Sequence, residues 1–368
     1  MTSPLIIAAG PSAYAHIKKN GLSPDDVSAV FGASGAAKWL TIAGLDGLIF
    51  GDWLAARQNP APIDLFGTSV GAFKLAAAAR TDPRKALDKM AHAYVHQSYA
   101  DALTYDAISE QTDKTLRKFL GDENGTDDIS VGIDEILSNP HYRLHIGTVR
   151  CHGPLNQEGL NPQRLAMLRA GLLSPFTDRH LRGLAERVVF SDPRHALTFQ
   201  ARDGFAVSNK TLTADNFENA LRASGAIPVY MRPVRLTEDP DHIYRDGGLL
   251  DYHPLPGNFW PERDGFILYP HFYDHFKKRW FDKFYPWRKA RAAELDRVIM
   301  LAPSHAFIKS LPDGKIPSRQ GFVAYRKNEA ERFDKWTQVV ERSAQLGAEF
   351  IDACASGKIS QLVRPLPL

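Results

Sequence analysis

Short apolar runs alternate with small-residue turns and helix-like stretches in the first part of the chain. VSAVF at 27–31 and IDLF at 63–66 are apolar and β-rich, and each leads into a turn of small residues. Helix-forming stretches follow at 38–56 and 72–80. Two successive strand–turn–helix units predict parallel strands with crossover helices, because a hairpin cannot join parallel neighbours.

The rest of the chain continues this mixture of helices and strands. Residues 83–140 are predicted to be mostly helical, with a polar break, GDENGTDD, at 121–128. The other predicted helices are 160–173, 213–228, with Thr213 and Asp215 as N-cap candidates, and about 329–355. The other predicted strands are 141–151, 242–248, 265–269 and 297–303. This pattern predicts an α/β fold with a mostly parallel central sheet and helices on both faces.

The composition is that of an ordinary globular protein. The 368 residues are 44% hydrophobic and 24% charged, which allows a substantial core. The 45 cations nearly balance the 42 anions, so the charge does not indicate nucleic acid as a partner. No uninterrupted apolar run approaches the ~18–20 residues of a transmembrane helix.

Cysteine content and the N-terminus bear on the compartment. Cys151 and Cys354 are too few for a disulfide framework, which favours a reducing environment. The short apolar run near the N-terminus has no positive flank before it, so we interpret it as a strand or loop and not as a signal peptide. We therefore expect a cytoplasmic protein that can also contact a membrane surface peripherally.

GTSVG at 67–71 has the form G-x-S-x-G. A serine at a sharp strand-to-helix turn exposes its hydroxyl above the sheet, and Gly67 and Gly71 leave room where the strand and the helix cross. The start of the following helix directs N–H groups towards Ser69, where they can stabilise an oxyanion. The alternative is a simple turn with an incidental serine. The apolar strand before it and the alanine-rich helix after it favour a nucleophile elbow.

Two further segments have both a chemical and a structural explanation. YRDGGLL at 244–250 places Asp246 at the end of a predicted strand, where Asp-Gly-Gly is also a natural turn. GASGAAK at 32–38 is a small-residue loop closed by Lys38. It could supply backbone donors to an oxyanion or phosphate, or it could only permit close packing of a strand and a helix.

Together these segments resemble the patatin-like phospholipase family. In chain order, that family has a glycine-rich oxyanion loop ending in a basic residue, a G-x-S-x-G elbow and a later D-G-G or D-G-A turn. This sequence has GASGAAK, GTSVG and RDGG in the same order. ALRASGAIPVYMRPV at 220–234 and DGGLLDYHPL at 246–255 are also similar to family segments, so the resemblance covers about residues 27–256.

The resemblance implies a patatin-like α/β fold, a function and a set of site residues. The implied function is lipid acyl hydrolysis through an acyl-enzyme, as in phospholipase A and lysophospholipase, without a cofactor. Residues 1–256 would form the catalytic domain, and 257–368 a mainly helical extension packed on it. The implied site residues are Ser69 as nucleophile, Asp246 as base, Gly35 and Ala36 as oxyanion donors, Lys38 at the basic position, and Gly67 and Gly71 in the elbow.

The loop departs from the family pattern in two ways. Ser34 and Ala36 interrupt the run of glycines, and Trp39 stands where a further glycine is expected. This departure allows a third interpretation, in which the chain binds lipid without turning it over.

The stretch 268–291 combines aromatic and basic residues. Phe272, Phe276, Trp280 and Phe284 recur every four residues, which predicts one helical stripe with the lysines and arginines beside it. Such a helix would act as a lid or lie in a lipid interface and meet anionic headgroups. The alternative is an amphipathic helix packed on the core with a solvated basic face.

A competing enzyme hypothesis uses a histidine. An α/β-hydrolase triad has the chain order serine, acid, histidine, and His305, after the predicted strand 297–303, is the best placed of the later histidines. The other candidates are His253, His271 and His275. The HxxxH spacing of the last two lacks a clear third ligand, so no metal site is predicted, and GASGAAK lacks the spacing of a nucleotide-binding loop.

Overall fold

The computed structural model describes residues 3–99, 103–121, 128–195 and 197–367. A single mixed sheet runs through the protein. Its strands are β1 Leu5–Ala9, β2 Val27–Gly32, β3 Ile63–Thr68, β4 Tyr142–Cys151, β5 Ala185–Ser191, β6 Val207–Thr211, β7 Val234–Leu236, β8 Asp239–Asp246, β9 Phe266–Pro270, β10 Val298–Pro303 and β11 Arg364–Pro365.

The sheet order is β11-β1-β10-β9-β2-β3-β4-β5-β6, and β8 joins through β4 with β7 beside it. The pairs β1–β11, β2–β3, β2–β9, β3–β4, β9–β10 and β5–β6 are parallel. The pairs β1–β10, β4–β5, β4–β8 and β7–β8 are antiparallel. The prediction of a mostly parallel α/β sheet is therefore confirmed. Since β9 and β10 lie between β1 and β2, both predicted parts of the chain share one sheet, and a domain boundary at 256 stays a prediction.

Helices occupy most of the segments predicted to be helical. They are α1 Pro11–Asn20, α2 Ala43–Leu48, α3 Val70–Ala78, α4 Pro83–Val95, α5 Tyr105–Leu120, α6 Ser130–Ser138, α7 Leu160–Leu173, α8 Arg179–Arg182, α9 Ala214–Gly225, α10 His305–Ser310, α11 Arg319–Ala324, α12 Glu329–Ala355 and α13 Ile359–Leu362. Thr213 caps α9 by accepting from the Asn216 amide, whereas Asp215 lies inside its first turn. Of the polar break at 121–128, residues 122–127 lie outside the described residues.

The central helix of the core is α3, which is buried along its whole length between the sheet and the helices α4, α5 and α9. A lysine on this buried helix needs a partner, and Lys74 Nζ lies 2.9 Å from Asp46 Oδ1. Asp46 also accepts from the Trp39 indole at 2.7 Å. These contacts fix the helical segment after β2 against the helix after β3.

Residues Ala36–Ala56 form one continuous helical segment of mixed 3₁₀, α and π turns. Within the described residues it is the one segment long and apolar enough to cross a membrane, although no single apolar run in the sequence indicates this. In the structure 67% of the most apolar part of this segment is buried inside the protein, as in a core helix.

The prediction of a helix over 268–291 is wrong. After β9 the chain is irregular until a short 3₁₀ helix at Trp280–Phe284. The carbonyl groups of Lys277 and Lys278 accept from the amides of His253 and Tyr252, so this backbone is hydrogen-bonded to another segment and not along a helix. The aromatic residues accordingly do not share a stripe: Phe272 and Phe276 are buried under the sheet, while Phe284 is 70% exposed.

Candidate active site

Strand register brings two distant turns together beside β4. Thr68, the last residue of β3, pairs with Gly147, and Asp246, the last residue of β8, pairs with Thr148. Strand β5 occupies one edge of β4. The opposite edge of β4 is shared by β3 and β8, which meet there end to end. This arrangement places Ser69 and Asp246, 177 positions apart in the chain, in direct contact.

The turn at Ser69 has the geometry of a nucleophile elbow. Ser69 has φ 54° and ψ −133°, a conformation that L residues rarely adopt and that the flanking β3 and α3 must hold in place. A Cβ on Gly67 would lie 2.5 Å from the Ala72 amide nitrogen, and one on Gly71 would lie 2.2 Å from the Gly32 carbonyl oxygen. Both positions therefore require glycine, as the G-x-S-x-G pattern predicts.

The hydroxyl of Ser69 donates to Asp246 Oδ2 at 2.8 Å. The other carboxylate oxygen, Oδ1, accepts from the Gly248 amide at 2.7 Å, which fixes the plane of the carboxylate. Burial raises the pKa of Asp246 from its ordinary value of 3.8 to about 6, against the hydrogen bonds from Gly248 and Ser69. A carboxylate so placed can accept the serine proton near neutral pH.

Neighbouring hydroxyl groups hold the elbow to the surrounding strands. The Ser69 amide donates to Ser224 Oγ at 2.9 Å, and Ser224 Oγ in turn donates to the Gly147 carbonyl at 2.8 Å. Thr68 Oγ1 donates to the Asp251 carbonyl at 2.8 Å, so the 2.8 Å contact with Ser34 Oγ places the donor on Ser34. These bonds link the elbow, the loop after β2 and the turn after β8.

The small-residue loop after β2 lies beside the Ser69–Asp246 pair. Gly35, Ala36 and Lys38 line the same small cavity as the two side chains. Within the described part of the chain, the amides of Gly35 and Ala36 donate to no protein acceptor, whereas the Lys38 amide donates to the Gly35 carbonyl at 3.2 Å. Ala36 has φ 50°, a left-handed conformation that glycine adopts more easily. Gly35 has no room for a Cβ, which would lie 2.5 Å from the Phe272 ring.

Two cavities meet at Ser69. The larger, of about 380 Å³, is lined mainly by apolar and aromatic side chains of α3, α4, α5, α11 and the 225–231 segment. The smaller, of about 50 Å³, is lined by Ser69 and Asp246, by a mixture of small, apolar and aromatic residues, and by the three cations Lys38, Lys283 and Arg319. A cavity of several hundred Å³ with apolar walls is typical of sites that enclose a hydrophobic ligand.

The sequence reasoning missed several residues of the smaller cavity. Tyr252, Trp280, Lys283 and Arg319 line it, and the last three belong to the C-terminal part of the chain. Burial, and after it the charges of Arg319 and Lys38, lower the pKa of Lys283 from 10.5 to about 7. Lys283 belongs to the basic and aromatic stretch 268–291, whose unusual composition could have indicated a functional role. The predicted helix, however, placed its lysines and arginines on a solvent-facing or lipid-facing side and not in the site.

The candidate histidines do not reach this site. None of His253, His271, His275 and His305 lines either cavity at Ser69. The side chain of His305 is 81% exposed and its Nε2 lies 3.4 Å from Asp274. Among the residues that the structure describes, Ser69 thus has a carboxylate partner and no imidazole partner. Across the described residues no cluster of three or more His, Cys, Asp or Glu side chains could hold a metal ion.

Comparisons with known proteins bear on the family. A search of curated proteins returned no match. Among solved structures, the crystal structure of VipD from Legionella pneumophila is 13% identical, with a TM-score of 0.34 over 92% of this chain and 70% of that chain. A similarity this weak carries no argument. The family model described as patatin-like phospholipase matches residues 62–257, which is more than half of the chain and includes both Ser69 and Asp246. The chain therefore belongs to the patatin-like phospholipase family, whose members are lipid ester hydrolases.

Proposed function

We propose that this protein is a lipid acyl hydrolase that cleaves carboxylic esters through a dyad of Ser69 and Asp246. One observation carries the proposal: Ser69 Oγ donates a hydrogen bond to Asp246 Oδ2 at 2.8 Å. Both side chains line a small cavity, and Ser69 also lines the larger, mainly apolar cavity. Family membership supports it independently, since it is based on sequence and not on this contact.

The proposed reaction has two halves. Ser69 Oγ attacks the ester carbonyl carbon and its proton passes to Asp246; the tetrahedral intermediate then expels the alcohol, which takes that proton, and leaves an acyl-enzyme. Water next attacks the acyl-enzyme and gives its proton to Asp246. The proton then returns to Ser69 as the fatty acid leaves. No histidine and no cofactor takes part.

The state of Asp246 suits this role. An exposed aspartate is a weak base, but the buried carboxylate of Asp246, with its pKa raised to about 6, is both ionised and more basic near neutral pH. Both of its oxygens are engaged, one by the Gly248 amide and one by Ser69. The base is therefore already oriented before substrate enters.

The oxyanion would be stabilised by the loop after β2. The free amides of Gly35 and Ala36 line the cavity at Ser69, and the amide of Val70 begins α3 directly after the nucleophile. One such donor contributes roughly 3–4 kcal/mol in other serine enzymes. We assign the donor role to these amides, and Lys38 contributes through its side chain.

The acyl chain would occupy the larger cavity. Phe73, Ile108 and Phe322 supply apolar wall on three different helices, α3, α5 and α11. The volume of about 380 Å³ is within the usual range for sites that enclose small hydrophobic ligands.

Hydrolysis by matched variants tests the dyad. Wild type should hydrolyse short and long acyl p-nitrophenyl esters and phospholipid vesicles, while Ser69→Ala and Asp246→Asn should lose this activity and keep the wild-type circular dichroism spectrum. His305→Ala is the matched control and should remain fully active. Full activity of Asp246→Asn, or loss of activity in His305→Ala, would refute the dyad.

A covalent probe separates an enzyme from an inactive lipid-binding protein. A fluorophosphonate reacts with an activated serine and should label wild type but not Ser69→Ala. Wild-type protein that binds lipid and resists labelling would establish the inactive alternative.

We also propose that the protein is cytoplasmic and that it binds anionic membranes peripherally, through α7 and its neighbours. Leu165, Leu168 and Leu172 form a stripe along α7 and are 66%, 62% and 66% exposed. Phe176 is 85% exposed, and Phe284 and Trp287 are 70% and 64% exposed. Exposed apolar side chains at helical spacing are typical of a surface that enters a lipid interface.

Charge and position favour an anionic bilayer as the partner. Residues 160–177 contain no Asp or Glu, while Arg164 and Arg169 are exposed on α7. Gln163 of α7 accepts from the Val229 amide, and Gly171 accepts from the Tyr285 hydroxyl. Since the segments containing Val229 and Tyr285 also line the cavities at Ser69, this surface lies next to the candidate active site.

Vesicle flotation tests the membrane surface. Wild type should float with phosphatidylserine-containing vesicles and less with phosphatidylcholine alone, with binding that weakens in salt. Leu168→Gln with Leu172→Gln should lower flotation about tenfold or more, since each leucine loses roughly 1–3 kcal/mol of apolar burial. Val131→Gln, on α6, is the control at another exposed apolar residue. Equal flotation of the double variant and wild type would exclude this surface.

A further inference from the structure

The larger cavity at Ser69 has a polar side within its mainly apolar wall. This side is built by the end of α4, the segment after it and α5, and its polar residues are Tyr94, Gln97, Tyr99, Thr112 and Thr115. An acyl chain in this cavity would therefore contact hydrogen-bonding groups as well as apolar ones. In a mainly apolar pocket, a few placed polar groups are what determine specificity.

Four of these five polar side chains are paired within the protein. Gln97 Nε2 donates to Thr115 Oγ1 at 3.0 Å, and the Tyr99 hydroxyl donates to Gln97 Oε1 at 3.1 Å. The hydroxyls of Thr112 and Thr115 donate to carbonyl groups one turn earlier in α5, both at 2.9 Å. The O–H donors of these three hydroxyl groups are therefore already in use.

Tyr94 is the exception on this polar side. Among the described residues of the chain its hydroxyl has no hydrogen-bond partner, although Tyr94 is half-buried and its ring lies 6.4 Å from that of Phe322. Burial, and after it the nearby Tyr99, raises the pKa of the Tyr94 hydroxyl above its ordinary value of 10.0. The group is therefore a neutral O–H that can donate to a ligand, and such a group needs a partner from water or from a ligand.

Contacts with α12 hold the segment that carries this hydroxyl. The buried guanidinium of Arg332 donates to the carbonyl of Val95, the residue after Tyr94, at 3.2 Å. The Tyr99 amide donates to Glu329 Oε1 at 2.8 Å. Because its backbone is held in this way, Tyr94 needs little ordering to bind a ligand, which lowers the free-energy cost of recognition.

We propose that the Tyr94 hydroxyl donates to an oxygen atom on the acyl chain, and that the preferred substrates are esters of acids with an oxo or hydroxyl group along the chain. The inference rests on the proposed ester hydrolysis and adds the acyl class to it. An unsubstituted chain that fills the cavity displaces water from Tyr94 and leaves its hydroxyl unpaired, whereas an oxygenated chain supplies an acceptor. A site built to bond a substrate oxygen discriminates against the analogue without it.

Esters of keto acids test the donor role of Tyr94. The substrates are p-nitrophenyl decanoate and its 5-oxo, 7-oxo and 9-oxo derivatives, because a ketone oxygen only accepts and the series moves it along the chain. Each kcat/KM is divided by the rate of alkaline hydrolysis of the same ester, which removes differences in intrinsic reactivity. Wild type should prefer at least one oxo ester over decanoate by about fivefold or more, because the bond to Tyr94 is made only with that ester.

Three tyrosine-to-phenylalanine variants isolate the hydroxyl of Tyr94. Tyr94→Phe should abolish the preference for the oxo ester and raise kcat/KM for decanoate, which no longer leaves a hydroxyl unpaired. Tyr99→Phe is the control in the same cavity and should keep the preference, because its hydroxyl already donates to Gln97. Tyr14→Phe, on α1 and outside both cavities, should keep the wild-type activity and preference. Equal values for all four esters in wild type, or a preference that survives in Tyr94→Phe, would overturn the inference.

A binding measurement distinguishes failure of this recognition from failure of the proposed reaction. In isothermal titration calorimetry, Ser69→Ala should bind at least one of the three oxodecanoic acids about fivefold or more tightly than decanoic acid. Ser69→Ala with Tyr94→Phe should bind all four acids equally. This pattern of binding, together with a wild type that hydrolyses none of the esters, would support the recognition and refute the reaction. Hydrolysis of the esters without any difference in binding or rate between them would refute the recognition alone.

Discussion

Replacing Asp246 by asparagine should separate activity from stability. Asparagine has nearly the same shape and can still accept the Gly248 amide, but it cannot take a proton from Ser69. It also removes a buried negative charge. We therefore expect Asp246→Asn to lose ester hydrolysis and at the same time to raise the free energy of unfolding at neutral pH.

The magnitude follows from the pKa of Asp246. Burial raises this pKa from 3.8 to about 6, so the folded protein holds the proton more tightly than the unfolded chain does. Above pH 6 the carboxyl is ionised in both states, and its burial costs about 3 kcal/mol of stability. As the pH falls from about 6 to about 4, the folded state protonates first and this cost disappears. The free energy of unfolding of Asp246→Asn should therefore exceed that of wild type by about 3 kcal/mol at pH 7, and the two should differ little at pH 4.

Urea unfolding at pH 4, 5 and 7, with p-nitrophenyl butyrate hydrolysis at pH 7, measures both effects. Asp251→Asn is the matched control, because Asp251 is equally buried five positions later but pairs with Arg187 at 2.6 Å. Burial also raises the pKa of Asp251, but its loss takes one of two carboxylate partners from the buried Arg187 guanidinium and leaves Asp203 as the other, so this substitution should lower stability. The two substitutions are chemically identical and should have opposite signs.

The reasoning would be refuted in either of two ways. An Asp246→Asn protein less stable than wild type at pH 7 would mean that the carboxylate contributes more through its hydrogen bonds than its burial costs. A stability difference that does not change between pH 4 and pH 7 would mean that the pKa of Asp246 is not raised.

Three other predictions concern packing and pH. Gly71→Ala should destabilise the fold by about 3 kcal/mol in urea unfolding, because its Cβ would lie 2.2 Å from a carbonyl oxygen. Gly47→Ala, with nothing within 4 Å, should instead stabilise by about 0.5–1 kcal/mol, and equal effects would contradict the packing argument. The kcat/KM for a neutral ester should rise with pH around a midpoint near 6, as Asp246 ionises; a midpoint near 4 would argue against Asp246 as base. Lys74→Met should cost about 3–5 kcal/mol by leaving Asp46 buried and unpaired, and Lys74→Met with Asp46→Leu should recover most of it; no recovery would show that the pair itself is not the cause.

Local chemistry made the elbow and the Asp246 turn predictable. Glycines two before and two after Ser69 are required by steric contacts within a few residues, and those contacts leave a readable spacing in the sequence. Chain order then gave the family resemblance. What brings Ser69 to Asp246 is the register of β3 and β8 along β4, which no local pattern records.

Contacts between distant segments explain the errors. The four-residue spacing of Phe272 and Phe276 suggested a helix, but that backbone is hydrogen-bonded to residues 252 and 253, and its aromatic rings pack under the sheet. The predicted strands also omit β5, although its sequence, AERVVFS, contains the apolar β-forming run VVF. Lys283 and Arg319 could not be placed at the site, since their positions depend on how the last third of the chain folds back.

The insertion of β9 and β10 between β1 and β2 has a consequence for biosynthesis. When the ribosome has made residues 1–256, the edges of β1 and β2 that those later strands will occupy are still open, so the sheet cannot close. Phe272, against which Gly35 packs, and Arg319 also emerge late. A nascent chain therefore completes the cavity at Ser69 only after Arg319 has left the ribosome, and a chain that stops before this residue would lack part of the candidate active site.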